Sequence, residues 1–112
     1  MSQVTLQITY YVWAPDSKAT DAPNRLDQTI SKEHAEHFQA LRADGLVEHG
    51  GAVLTKDMQL PITSAPEFAG SMFILKADSL EAARKLVEED PFYQTGVWDR
   101  DNIKVAPVLS RA

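Results

Sequence analysis

His34 and Asp90 are the residues best suited to chemistry in this chain. An imidazole can accept and return a proton near neutral pH. A carboxylate bonded to its other ring nitrogen fixes the tautomer and supports the imidazolium as it forms. Ile30, His34, Phe38 and Leu41 recur at helical spacing, which turns the imidazole towards an apolar side. Asp90 follows a second apolar stripe containing Ala83 and Val87, and it precedes Pro91, where a helix must stop. A plain structural reading stands beside the catalytic one. His34 then bonds a backbone carbonyl in the core, and Asp90 is an acidic residue in a helix-ending turn.

Other polar groups are candidates for holding a substrate. Gly70-Ser71 opens an apolar strand, and Gly50-Gly51 sits inside another, where paired glycines suggest a bulge or a close approach to the backbone. Ser71 has no general base and no G-x-S-x-G elbow around it, so it is a binding group rather than a nucleophile. Arg25, in the first loop, is either a carboxylate clamp or a solvated surface residue. His49 either lines the same cavity or is an ordinary strand residue. Tyr11, Trp13, Phe92, Tyr93 and Trp98 either wall a pocket or fill core and dimer contacts. His37 lies three residues beyond His34, a spacing that can bind metal from one helix. Without H-E-x-x-H or a third ligand, no metal site is expected.

The composition narrows the setting. The 112 residues, 44% hydrophobic and 24% charged, suit one globular domain spanning residues 1–112. There are no cysteines, which excludes disulfides, thiolate catalysis and cysteine-bound metal. The net charge of −5 and scattered basic residues argue against a nucleic-acid partner. No apolar run approaches the roughly 20 residues that span a bilayer. Met1-Ser2-Gln3 has neither a charged nor an apolar leader pattern, so a cytoplasmic protein is expected.

Val4 to Trp13 alternates with period two and reads as a strand. Ala14 to Thr29, with two prolines, reads as a long loop. A helix follows, capped by Thr29 or Ser31 and stopped near Gly45. Leu46 to Leu54 is the second strand, Lys56 to Ala69 a second loop, and Met72 to Leu75 a third strand, apolar on both faces. Asp78 and Glu81 have capping-box spacing, with Ser79 as a competing cap, and Leu80, Ala83, Leu86 and Val87 form the next helix's stripe. Ile103 to Val108 is the fourth strand. The order βαββαβ predicts an α+β, ferredoxin-like sandwich: a four-stranded antiparallel sheet with two helices on one face. The apolar third strand leaves the other face needing cover, and a homodimer packed sheet to sheet supplies it.

Taken together, these pieces resemble the YCII-related (YciI-like) family, particularly its fungal-type members, from about Thr9 to Val108. The resemblance rests on His34 with Phe38, Leu41 and Gly45, on Gly50 to Leu54, and on Phe68-Ala69-Gly70-Ser71. It continues through Ala77 to Ala83, Asp90-Pro91-Phe92 and Gly96-Val97-Trp98-Asp99. It implies sheet-to-sheet dimerisation into an α+β barrel and a His–Asp site at His34 and Asp90, with Ser71 at the family's Gly-Ser position. Family members often carry an arginine three residues before the histidine. Ser31 holds that position here, and Arg25 is displaced upstream. The expected function is a cofactor-independent lyase or isomerase acting on a small cyclic, oxygenated metabolite. Its alternative is a non-catalytic small-molecule-binding or accessory homodimer.

Overall fold

The computed structural model describes residues 3–112; Met1 and Ser2, part of the stretch read for a leader, lie outside the described residues. Strand β1 (Leu6–Pro15) is followed by helix α1 (Gln28–Ala43), strands β2 (Val47–Leu54) and β3 (Phe68–Leu75), and helix α2 (Leu80–Glu88). A short helix α3 (Pro91–Thr95), a 3-10 turn (Arg100–Asn102) and strand β4 (Lys104–Arg111) complete the chain. The sheet order is β2-β3-β1-β4 with every pairing antiparallel, the ferredoxin-like arrangement. No helix among the described residues is long and apolar enough to cross a membrane.

Alternation along the strands divides the sheet into two unlike faces. Tyr10, Val12, Ala14, Phe73, Leu75 and Val105 are buried on the helix side, where Ala83, Val87, Phe92 and Val97 pack against them. On the opposite face, Tyr11 pairs with Ile74 and Trp13 with Met72, all four half-buried with no helix over them. Beyond the helices, β1 and β4 run on as a two-stranded ribbon in which Leu6 pairs with Arg111 and Ile8 with Leu109. Its apolar side chains stand well exposed, Leu6 at 57% and Leu109 at 67%.

Local chemistry sets the helix ends, and it corrects several expectations. Helix α1 is capped by Asp27, whose carboxylate accepts the Thr29 and Ile30 amides at 3.1 and 3.0 Å, rather than by Thr29 or Ser31. It ends at Asp44, and the next residue, Gly45, takes the left-handed φ of 74° that a helix exit favours. Ser79 wins the competition to cap α2, accepting the Ala82 amide at 3.0 Å. Pro91 does more than stop α2: it sits at the first position of α3, with Asp90 as that helix's N-cap.

The irregularity expected at Gly50-Gly51 falls elsewhere. The β2–β3 register shifts between Val47 and His49 and again between Val53 and Leu54. An inserted residue reverses the inward-outward parity of a strand. Val47 faces the core, and beyond the shift Gly50, opposite Phe73, takes the helix side while His49 points away. A Cβ on Gly50 would lie 2.7 Å from the Phe38 ring and 2.8 Å from the Phe73 ring, so packing requires glycine there. The space beside Gly50 is filled by those two rings.

Candidate active site

Helix α1 carries no fully buried residue, although its stripe faces the sheet. The reason is a cavity of about 300 Å³ between its flank and the β2–β3 half of the sheet. Ser31, His34 and Phe38 line it from α1, Gly50, Gly51 and Ala52 from β2, and Ser71 and Phe73 from β3. Arg25, Phe68 and Phe92 add to its wall. The volume and the mostly apolar lining, four phenylalanines among it, suit a small ring-sized guest.

His34 and Asp90 meet behind this cavity. His34 Nδ1 lies 2.8 Å from Asp90 Oδ1 and 3.0 Å from Oδ2. Asp90 is 3% exposed, and its Oδ1 also accepts the Phe92 amide at 2.8 Å, the α3 capping bond. Opposite an ionised carboxylate, which only accepts, Nδ1 is the donor, and a neutral ring in that tautomer has an unprotonated Nε2. No group among the described residues bonds that nitrogen. The ring stacks on Phe92 at 3.8 Å and 4°, and the Trp98 ring stands nearly perpendicular to it with centroids 6.0 Å apart. Carboxylate and aromatic walls thus hold the imidazole in one orientation.

A second polar cluster lies at Ser71, which is 2% exposed. Its Oγ accepts a hydrogen bond from Arg25 Nη2 at 2.9 Å and another from Trp98 Nε1 at 3.2 Å. Arg25 also grips Asp16 with two bonds, Nε to Oδ2 at 2.7 Å and Nη2 to Oδ1 at 2.6 Å. The Arg25 guanidinium stands over the Phe68 and Phe92 rings, 5.1 and 5.3 Å from their centroids. Asp16 is itself fixed, because its amide donates to Ala69 O at 2.9 Å and the neighbouring Ser17 amide to Val97 O at 2.8 Å. The loop from β1 to α1 therefore delivers a rigid cation to the pocket.

The structure thus brings together His34, Asp90, Ser71, Arg25, Gly50 and Gly51 from the sequence candidates. Trp98 is a supporting residue behind the pocket, not part of its wall, and it bonds Ser71 from there. His49 points to the helix-free face and is exposed, so it does not line the cavity. His37 also lies outside the lining, and its Nε2 is buried without a hydrogen-bond partner. Of the aromatic residues proposed as pocket walls only Phe92 lines it, while Tyr11 and Trp13 face the other side of the sheet. No group of three or more His, Cys, Asp or Glu among the described residues is placed to hold a metal ion. Asp16 was missed by sequence reasoning; its one signal is its opposite charge to Arg25 in the same loop.

The fold and the His–Asp pair define a small ferredoxin-like protein with a cavity between helix and sheet. The model for the YCII-related domain matches residues 9–106, and the chain belongs to that family. Protein YciI of Escherichia coli is 30% identical over 95 residues, covering 85% of this chain and 92% of that protein. Aspercryptin biosynthesis cluster protein B of Emericella nidulans is 29% identical over 92 residues. That match covers 80% of this chain but only 58% of the fungal protein's length. Among solved structures, the fold matches 5-chloro-2-hydroxyhydroquinone dehydrochlorinase of Burkholderia phenoliruptrix, in complex with 2,5-dihydroxybenzoquinone, with a TM-score of 0.56. The two are 21% identical, and the match covers 95% of this chain and 93% of that one.

Proposed function

We propose that the protein is an acid–base enzyme of lyase or isomerase type acting on a small cyclic, oxygenated molecule without a cofactor. The observation that carries this reading is the His34–Asp90 pair, with Nδ1 bonded to the carboxylate and Nε2 left for a guest in an adjoining apolar cavity. His34 removes or delivers a proton at carbon beside a carbonyl, and Asp90 holds the ring and balances its positive charge. The structural neighbour's dihydroxybenzoquinone ligand supports a ring of that size and oxygenation. Cleavage of an unactivated bond is outside the reach of such a pair, whose contribution is about 10²–10⁴-fold.

The working unit in this reading is a homodimer. Tyr11, Trp13, Met72 and Ile74 form an apolar strip on the helix-free face, and a second copy laid sheet to sheet would cover it. Light scattering at micromolar concentration checks this, and a monomer would contradict it.

The test of activity is turnover of a panel of hydroxylated cyclic ketones and quinones by the wild type and by His34→Gln. The expected result is turnover that falls about 10²–10⁴-fold in the variant while fold and binding persist. Binding of panel members with no turnover, unchanged by His34→Gln, would favour a non-catalytic binding dimer.

A further inference from the structure

The hydrogen-bond arithmetic at Ser71 fixes what that residue can do. A serine hydroxyl has two acceptor lone pairs and one proton to donate. Both partners of Ser71 Oγ are groups that only donate: the Arg25 guanidinium at 2.9 Å and the Trp98 indole at 3.2 Å. The acceptor capacity of Oγ is therefore filled by the protein, and only the O–H remains. No hydrogen bond among the described residues takes that proton. Ser71 is nevertheless 2% exposed and lines the cavity that His34 lines.

From this we infer that Ser71 is an obligate hydrogen-bond donor to an oxygen of the bound molecule, which makes the guest a ring bearing a carbonyl, enolate or phenolate oxygen. The inference rests on the cavity being the substrate site and adds the polarity of its second pole. Two donors on Oγ, one of them cationic, draw electron density from the hydroxyl and strengthen its outgoing bond. They also hold the oxygen still, since Asp16 clamps Arg25 and Trp98 is buried. Arg25, itself in the cavity wall, holds Ser71 Oγ in place, and its charge is largely met by Asp16. A developing oxyanion is best stabilised by such a fixed, water-poor donor.

The pairing with His34 closes the electron count. As Nε2 takes a proton from the ring carbon beside the carbonyl, the C–H electron pair becomes a C=C bond. The carbonyl π pair moves onto oxygen, and the Ser71 O–H receives that charge. No oxidant or co-reactant enters.

The test uses binding rather than turnover, with 4-nitrophenol at a pH where it is ionised and nitrobenzene as the probe lacking the oxygen. The wild type is expected to prefer the phenolate, whose absorption band shifts on binding. Ser71→Ala and Ser71→Cys, which remove the hydroxyl or leave a weak thiol donor, are expected to weaken phenolate binding roughly 10–100-fold. Nitrobenzene binding should stay within about twofold, showing that the pocket persists. His34→Gln should retain the dependence on Ser71. A wild type without preference for the phenolate overturns the inference, as do Ser71 variants that lose both probes equally or neither. Neither result touches the turnover loss expected of His34→Gln, so the two readings fail separately.

Discussion

Asp90 joins two jobs in one carboxylate: it caps α3 through the Phe92 amide and holds the His34 ring. Two substitutions separate them. Asp90→Asn keeps an oxygen for both bonds but removes the charge. Its stability should stay within about 1 kcal/mol of wild type in urea unfolding, while turnover falls. Asp90→Ala loses the cap and strands the ring N–H, so it should cost about 2–4 kcal/mol. The facing of His34 was legible in its spacing from Ile30, Phe38 and Leu41, because a helix converts spacing into direction. The Arg25–Asp16 clamp was not legible, because both residues lie outside helices, in and at the start of an irregular connection where position in sequence says nothing about direction.

The order of the large elements could be read from periodicity, and their ends could be read less well. Helix α3 escaped because five residues are too short to show a repeat, although Asp90-Pro91 has the residue types of a cap followed by a first helical position. The parity change in β2 escaped as well, since the register shift follows from pairing with β3 and not from β2 alone. That shift assigns unlike burdens to adjacent glycines. Gly50→Ala drives a Cβ into Phe38 and Phe73 and should destabilise the protein by about 1–3 kcal/mol. Gly51→Ala meets nothing within 4 Å and should change stability little. Parallel thermal melts of the two variants check the contrast.

At the scale of the molecule, the two sheet faces make opposite demands. The helix face carries the buried core and the pocket, whereas the other face presents half-buried Tyr11, Trp13, Met72 and Ile74. If a second copy covers that strip, Ile74→Lys places a charge against apolar neighbours and should shift the protein towards monomer in sedimentation or light scattering. The pocket lies on the reverse of the sheet, so the phenolate preference should survive in the monomer to the extent that the fold does. The ribbon formed by the outer halves of β1 and β4 makes a separate demand, because Leu6, Ile8 and Leu109 stand exposed on the helix side of the sheet, past the helices.

The chain's two tryptophans divide along the same plane, Trp98 edge-on to the His34 ring and Trp13 among the helix-free strip. Each face of the sheet therefore carries its own intrinsic fluorophore. Replacing Trp13 by Phe would leave an emission that follows occupancy and imidazole charge, and replacing Trp98 would leave one that follows self-association. Assembly and chemistry can then be timed separately in a stopped-flow cell, with no dye attached.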